Sequence, residues 1–408
     1  MSESSIDPRL VVREQGLTGY LGEFQRRVKG GELGALPVII GLIVIWAVFQ
    51  SLNSQFLSSQ NLSNLSVDIV PTGLISVGIV FVLLLGEIDL SAGAVSGACA
   101  AVLAVLNVNL GMNPVLAMVC AVVVGAVLGL IHGFFFAKIG VPSFVVTLAG
   151  FLAWTGFQLW VLGPNGTINL PNDGFIAGLT STYFAYVIAA YGLAAVAVAG
   201  FLVVSLVGNN RRRAAGVPSR TTGDIVFRTV VLAVVAFGAA YILNLYKGLP
   251  LALLIFLLVV VGTDFVLRRT RYGRMIFAVG GNIEAARRAG ISVALIRISV
   301  FVISGSFAAL GGIFAASRIS SASQATGQSN VLLMAIAAAV IGGTSLFGGR
   351  GTTYSALLGM LVIQSIASGM ALQGVSNAIQ FMVTGAVLLA AVVIDSVSRR
   401  SQKAAGRA

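Results

Sequence analysis

The sequence predicts an all-α protein, a polytopic bundle of transmembrane helices. The first reason is composition: 57% of the 408 residues are hydrophobic and 9% are charged, whereas about a quarter of the residues in a soluble domain are charged. The second is a series of apolar runs long enough to span a bilayer. The third is the concentration of basic residues in alternate connecting segments. A closed barrel, the other fold that satisfies its backbone in lipid, needs short alternating segments, which the sequence lacks.

Each predicted transmembrane helix is an apolar run of roughly 20 residues, the length that crosses the hydrocarbon core. We predict about twelve spans, with ten as the alternative number. Their ranges are 36–53, 66–86, 91–108, 114–136, 143–162, 182–207, 225–245, 249–267, 294–316, 331–347, 353–371 and 377–397.

The basic residues set the orientation of these spans. With the N-terminus in the cytoplasm, only Lys247 and Arg318 of the 25 basic residues fall outside the cytoplasmic segments and adjoining helix ends, as the positive-inside rule requires. The net charge of +12 is then spread over anchoring loops, which favours membrane lipid rather than nucleic acid as its partner. The predicted domains are a cytoplasmic N-terminal tail at 1–35, a transmembrane domain at 36–397 with a cytoplasmic loop at 268–293, and a cytoplasmic C-terminal tail at 398–408.

Two glycine-rich breaks interrupt the apolar runs. Gly86–Gly93 has the sequence GEIDLSAG and Gly342–Gly349 has GGTSLFGG, and both fit the pattern G-x-x-x-L-x-x-G. Paired interruptions at corresponding positions are typical of transporters built from repeats. The sequence therefore predicts two loosely related halves, each with a broken helix.

The first break carries two acids, Glu87 and Asp89, with no Lys or Arg close by in the sequence. Acids in an apolar environment are costly, and three interpretations stay open. The acids bind backbone amides where one helix ends and the next begins at Ser91; or they belong, with Ser91, to a translocation path or gate; or they relay protons. In the first interpretation Ser91 caps the new helix, and Gly86 and Gly93 form the tight turns.

The cytoplasmic loop at 268–293 contains the signals of a short, capped helix. Asn282 can accept a hydrogen bond from a free amide at the helix start, Glu284 suits the positive first turn, and Gly290 fits the left-handed C′ position. We predict a helix of about seven residues, roughly 10 Å long, with a pair between Glu284 and Arg288. Because so short a helix is barely stable alone, it either rests on the bilayer or inserts into a groove of a cytoplasmic partner.

The remaining polar and aromatic residues predict no chemistry. Trp154, Phe157 and Trp160 follow one another at three-residue spacing in the fifth span. They are interpreted as membrane anchors, since tryptophan is enriched at interfaces, and stacking on a sugar ring is the alternative. With His132 as the single histidine, we predict no metal site and no catalytic residue, which makes an enzyme the least expected class.

Several motifs resemble the permease subunits of bacterial monosaccharide ABC importers of the ribose and xylose type. They are GEIDLSAGA at 86–94, GVPSFVVTLAG at 140–150, GRMIFAVGGNIEAARRAGI at 273–291 and AIAAAVIGGTSLFGGRGT at 335–352. Within them, EAARRAG at 284–290 is similar to the E-A-A-x-x-x-G motif of the coupling helix with which such permeases contact their ATPase. The glutamate before Ile-Asp-Leu-Ser and the basic loop at 208–224 make the chain closest to the xylose-type members.

The resemblance implies a transport subunit that imports a monosaccharide, such as the pentose xylose, by alternating access. It implies a multi-pass protein of the bacterial inner membrane with both termini in the cytoplasm. The implied partners are a second copy of the permease in a homodimer, a cytoplasmic ABC ATPase that binds ATP and Mg, and an extracytoplasmic sugar-binding protein. The chain itself has no G-x-x-x-x-G-K-[ST] phosphate loop, so we expect no cofactor in it.

The resemblance also assigns residues to the contact with the ATPase: Gly281, Asn282, Glu284, Ala285, Ala286, Arg287, Arg288 and Gly290. Two other functions remain as alternatives. One is a proton-coupled secondary transporter that uses Glu87 and Asp89, and the other is an ABC permease for amino acids or nucleosides.

Overall fold

The computed structural model describes residues 36–216, 219 and 221–404, and in this part of the chain nearly all regular structure is helical. This confirms the predicted all-α bundle. The predicted tail at 1–35 lies outside the described residues, as do Arg220 and the last four residues of the predicted C-terminal tail.

The described part of the chain contains these helices in order: α1 (Leu36–Leu52), α2 (Ser59–Leu84), α3 (Ala92–Ala104), α4 (Pro114–Phe134), α5 (Ser143–Leu162), α6 (Phe175–Ser181), α7 (Val187–Ala214), α8 (Thr222–Asn244), α9 (Leu251–Arg269), α10 (Arg271–Gly281), α11 (Ile283–Arg288), α12 (Val293–Ile319), α13 (Ser329–Ile341), α14 (Tyr354–Leu372) and α15 (Asn377–Ala404). Single π-helical turns extend α3 (Val105–Asn109) and α4 (Phe135–Ile139). Short strands are β1 (Thr167–Asn169), β2 (Tyr183–Phe184), β3 (Leu249–Pro250) and β4 (Ser321–Ser323).

Nine of the described helices are long and apolar enough to cross a membrane, and shorter apolar helices occupy the other predicted spans. The shortest of these is α13, whose 13 residues are only about 20 Å long. Because the hydrocarbon core is about 30 Å thick, α13 cannot complete a crossing alone.

The chain forms two compact units. The larger comprises the described residues of Gly34–Tyr183 and Pro250–Asp395, and the smaller includes Phe184–Leu249. In the smaller unit α7 and α8 pack against each other, with the ring centroids of Tyr191 and Phe237 6.1 Å apart. Many exposed large side chains of this pair are apolar, among them Val196, Val234 and Val235, as expected for helices that face lipid.

The larger unit is built around α12, which packs against α2, α3 and α4. Its approach to α4 depends on Gly125, Gly129 and Gly133, which repeat every four residues and therefore share one face. A Cβ atom added to any of the three would collide with the backbone of α12. Small residues allow membrane helices to come this close, so the packing of α4 on α12 follows from the glycine spacing.

We expect Gly129→Ala to lower the free energy of unfolding by about 1–3 kcal/mol, the usual cost of overpacking. The new methyl group would lie against the Phe301 carbonyl, and a helix backbone cannot move away as a side chain can. Gly156→Ala on α5 is the matched control, because nothing lies within 4 Å of its added Cβ and the gain in helix propensity is the same. Thermal unfolding of both variants in detergent measures the difference, and equal midpoints would contradict the predicted clash.

The loops after α5 and α12 are tied together. Strand β1 pairs with β4 in antiparallel register, with Ile168 opposite Ala322. The buried Gln158 side chain reaches the same place, and its Nε2 donates to the carbonyls of Ser323 at 2.8 Å and Thr326 at 2.9 Å. These bonds fix the chain beyond α12 at the end of the bundle opposite α11.

Candidate functional site

The coupling helix predicted from the sequence is α11, and both of its predicted ends are present. Asn282 precedes the helix in an extended conformation, and its Oδ1 accepts a hydrogen bond from the Ala285 N–H at 2.9 Å. At the other end Gly290 has φ +79°. The Gly290 N–H donates to the Arg287 carbonyl at 3.0 Å, and the Ile291 N–H donates to the Ala286 carbonyl at 3.1 Å. This pair of bonds is a Schellman motif, so α11 is closed at both ends.

The helix differs from the prediction in two details. It has six residues instead of about seven, because Ala289 already leaves the helical conformation. Glu284 pairs with Arg287 at 2.8 Å, whereas the prediction paired it with Arg288. Both side chains are mostly exposed, so this pair adds little stability.

The surface of α11 is open to a partner. Ala286 is buried against the rest of the chain, whereas Glu284, Ala285, Arg287 and Arg288 are exposed. The remaining residues that the resemblance assigns to ATPase contact, Gly281, Asn282 and Gly290, are also exposed. All eight assigned residues thus lie together on α11 and its two ends, and their contact with an ATPase stays a prediction.

The amphipathic helix α10 holds α11 in place. Gly273, Ile276 and Val279 face inward at three-residue spacing, and Arg271 and Arg274 are exposed. The Tyr272 hydroxyl shares a hydrogen bond with Ser299 of α12 at 2.7 Å. Burial raises the pKa of Tyr272 and outweighs the opposite effect of this bond, so the phenol stays protonated and available for it.

The two glycine-rich breaks meet at the end of α10. We call this contact the glycine junction and define it by Gly86, Gly280, Gly348 and Gly349. The Gly349 N–H donates to the Leu84 carbonyl at 2.9 Å. A Cβ at Gly280 would collide with that carbonyl, and one at Gly348 would lie 2.9 Å from the Gly86 nitrogen. The junction therefore connects both broken helices to the segment that leads into α11.

Asp89 is buried, and hydroxyl and amide groups satisfy it. Its Oδ1 accepts from the Ser91 N–H at 2.9 Å and from the Ser91 hydroxyl at 2.6 Å. Its Oδ2 accepts from the Ser304 hydroxyl of α12 at 2.7 Å. Three donors to one buried carboxylate compensate much of its desolvation. The bond from the Ser91 amide is the contact that the first interpretation of the acids predicted.

His132 extends this network to α4 and α5. The Trp154 indole N–H, which can only donate, lies 2.8 Å from His132 Nε2, so Nε2 accepts. We infer from this pattern that the proton is on Nδ1, which lies 3.2 Å from the Ser91 hydroxyl, and that the ring is neutral. The order of donation is Trp154 to His132, His132 to Ser91 and Ser91 to Asp89. We call these four residues and Ser304 the Asp89 network.

Glu87 has a different environment. Its Oε2 accepts from the Ser143 hydroxyl at 2.6 Å, and its Oε1 lies 3.6 Å from Arg297 Nη2. The Arg297 guanidinium also covers the ring of Phe136, 4.4 Å from its centroid. Glu87, which has no basic residue near it in the sequence, thus has Arg297 as a basic neighbour in the fold.

The structure corrects two predictions about the first break and leaves one open. Ser91 precedes α3 but makes no side-chain cap, because its hydroxyl donates to Asp89. Gly86 has φ +77° and forms the predicted turn, whereas Gly93 lies inside α3 and its missing side chain serves close packing on Gly327. A role of Glu87, Asp89 and Ser91 in a path or gate stays a prediction.

Sequence reasoning missed Ser143, Arg297 and Ser304, which contact the acids, and His132 and Trp154, which complete the Asp89 network. Trp154 was interpreted as a membrane anchor, but its indole N–H bonds to His132. The available signal was the lone histidine inside an apolar span, because a buried polar ring needs partners. Trp160 is exposed, which suits the anchor interpretation.

We expect Trp154→Phe to destabilise the protein by about 1–3 kcal/mol, because it leaves His132 Nε2 buried without a donor. Trp160→Phe is the control, since the Trp160 side chain is 79% exposed and we expect little change from it. The thermal unfolding midpoints of both variants in detergent test this. A Trp154 variant as stable as the control would show that the inferred histidine proton position is wrong.

Fold and site together define a multi-pass helical membrane protein with two broken helices and a short, exposed helix, α11, that is capped at both ends. Residues 61–392 match the family described as branched-chain amino acid transport system / permease component, and the chain belongs to this family. It is 37% identical over 379 residues to the xylose transport system permease protein XylH of Escherichia coli K12, covering 91% of this chain and 94% of that protein.

Two further relatives align with this chain over nearly their whole length. The XylH protein of Haemophilus influenzae is 34% identical over 92% of this chain and 99% of its own. The ribose import permease protein RbsC of Bacillus subtilis is 32% identical, and the alignment covers 93% of this chain and 98% of that protein. No solved structure matches the chain. The comparisons confirm the predicted family and the prediction of a transport subunit rather than an enzyme.

Proposed function

We propose that the chain is the membrane-spanning subunit of an ATP-driven importer that moves a monosaccharide, a pentose such as xylose, by alternating access. The names of the relatives, which are xylose and ribose permeases, support the substrate class. The observation that carries the ATP-driven mechanism is α11, a short helix closed at both ends whose outer surface is exposed. Such a helix is marginal alone and suits a groove in a partner.

The partner of α11 is a cytoplasmic ABC ATPase, which binds ATP and Mg. The contact is formed by Gly281, Asn282, Glu284, Ala285, Arg287, Arg288 and Gly290, whereas the buried Ala286 packs α11 against the rest of the chain. Movement of α11 reaches both broken helices through α10 and the glycine junction, because a Cβ would not fit at Gly280 or Gly348 and close-packed backbones transmit displacement.

The face that carries α11 lies in the cytoplasm, together with both chain termini. Exposed basic residues on α10 and α11 support this orientation, namely Arg271, Arg274, Arg287 and Arg288, since cytoplasmic loops are rich in Lys and Arg. A second copy of the chain completes the pathway as a homodimer. An extracytoplasmic sugar-binding protein delivers the substrate to the opposite face.

Reconstitution tests the proposal. The chain, its ATPase and its binding protein are placed in liposomes, and uptake of labelled xylose, ribose, an amino acid and a nucleoside is measured. We expect pentose uptake that requires ATP and continues in the presence of an uncoupler. Uptake that survives without ATP and stops with the uncoupler would instead support the proton-coupled alternative. If only the amino acid or the nucleoside is taken up, that compound class, and not a monosaccharide, is the substrate.

A further inference from the structure

One face of α2 does not fit a helix that contacts lipid. Most of α2 is buried inside the larger unit. The residues that are not buried are almost all polar: Ser59, Gln60, Asn61, Asn64, Ser66, Asp68, Pro71 and Thr72. Among them Asn64, Asp68 and Thr72 repeat every four residues and lie on one side of the helix. We call these three residues the α2 polar face.

The lipid-facing helix α4 shows the contrast. Its exposed large side chains include Val115, Val119, Val123 and Val127, which also repeat every four residues. Two helices of one unit thus expose opposite kinds of face. Because a charged group is costly against hydrocarbon, the α2 polar face contacts water or another polar surface.

An ion pair marks the centre of this face. Arg318 Nε lies 2.8 Å from Asp68 Oδ1, and about one third of each side chain is exposed, 35% and 32% respectively. Arg318 is the penultimate residue of α12, whose first residue follows the α11 region. The pair therefore lies at the end of the bundle opposite α11, the end at which the proposed substrate enters.

The groups on this face can recognise hydroxyls. The Asp68 carboxylate accepts several hydrogen bonds, the Arg318 guanidinium donates in a rigid fork, and the Asn64 amide does both. Among the described residues, neither Asn64 nor Thr72 has a side-chain hydrogen-bond partner. Asn61, one turn away, is braced by the Ser368 hydroxyl at 2.9 Å. The face thus offers unused donors and acceptors on a fixed helix.

We infer that the α2 polar face lines the aqueous path and that the Asp68–Arg318 pair binds the hydroxyls of the monosaccharide in transit. The inference rests on the proposed function and adds the residues that select the substrate. It places the substrate contact on α2 and α12, apart from the Asp89 network.

Thiol labelling tests whether the face is aqueous. In a Cys120→Ala background, we expect Asn64→Cys and Thr72→Cys to react with a membrane-impermeant thiol reagent, because the reactive thiolate forms in water. Val123→Cys on α4 is the control, since Val123 is more than half exposed in the structure, at 55%, but faces lipid. We expect the reagent to label both α2 variants and not the Val123 variant. We also expect xylose to protect the two α2 cysteines from labelling. Absence of labelling on α2 would overturn the inference.

Uptake by Asp68→Asn tests recognition. Loss of hydrogen bonds to a charged group predicts a decrease in xylose uptake of about tenfold or more, with unchanged assembly and basal ATP hydrolysis. Asp264→Asn is the matched control, because Asp264 also pairs with an arginine, Arg268, at 2.9 Å. A double variant, Asp68→Arg with Arg318→Asp, distinguishes a structural role of the ion pair from substrate binding. We expect this variant to have normal stability but no uptake, and full uptake would overturn the inference.

The two proposals fail in different ways. If the wild-type complex hydrolyses ATP but imports no monosaccharide, the proposed function is wrong and the substrate contact with it. If the wild-type complex imports xylose and Asp68→Asn does so at the same rate, only the assignment of Asp68 is wrong.

Discussion

The Gly290→Pro variant is expected to lose ATP-driven uptake and association with the ATPase. Gly290 has φ +79°, whereas proline is fixed near −65°. Proline would also remove the N–H that donates to the Arg287 carbonyl at 3.0 Å. The cost of about 3 kcal/mol or more for a misplaced proline exceeds what a helix of six residues can contribute on its own. We therefore expect α11 to unfold locally while the transmembrane bundle remains.

Pull-down of the ATPase and uptake in proteoliposomes measure this effect. Gly374→Pro is the matched control, because Gly374 also follows a helix with positive φ, +68°, and donates to a carbonyl three residues back, but lies after α14. We expect this control to keep ATPase association. Glu284→Lys, which reverses the charge on the exposed surface of α11, should weaken association without unfolding the helix. Undiminished assembly and uptake in both α11 variants would refute the coupling role.

Gly280→Val is expected to reduce uptake strongly while the ATPase still binds. The new side chain would collide with the Leu84 carbonyl at the glycine junction, and the backbone there cannot yield without separating the two breaks. Overpacking costs about 1–3 kcal/mol, and here it acts on the contact that connects α10 to the broken helices. α11 itself, with its cap at Asn282, is unaffected.

Three measurements on one preparation separate these effects: ATPase pull-down, ATP hydrolysis and xylose uptake. For Gly280→Val we expect retained binding and hydrolysis with uptake reduced about tenfold or more. Gly262→Val on α9 is the control, because nothing lies within 4 Å of its added Cβ. Normal uptake by Gly280→Val would show that the junction does not transmit movement.

The sequence predicts what depends on local chemistry. The helices follow from apolar runs, and the ends of α11 follow from Asn282 and Gly290, whose conformational preferences act within a few residues. The turn at Gly86 is predicted for the same reason. These predictions survive because no distant contact competes with them.

Contacts between distant segments could not be predicted. Asp89 and Ser304 are 215 residues apart, and Asp68 and Arg318 are 250 apart. The failed cap at Ser91 has a local cause: the position of Ser91 predicts a helix cap, but the buried carboxylate two residues before it is a stronger acceptor for its hydroxyl. Charge placement gives the orientation of a membrane helix, but not which groups face one another inside the bundle.

Helix α12 contacts the three acids Glu87, Asp89 and Asp68. Along its length, Arg297 approaches Glu87, Ser304 donates to Asp89 and Arg318 pairs with Asp68. Its 27 residues form a rod of about 40 Å. If this rod pivots at its α11 end by about 5°, the displacement grows from about 1.5 Å at Ser304 to about 3 Å at Arg318. The same rotation would thus move the Arg318 end of α12 about twice as far as Ser304, so α12 would act as a lever.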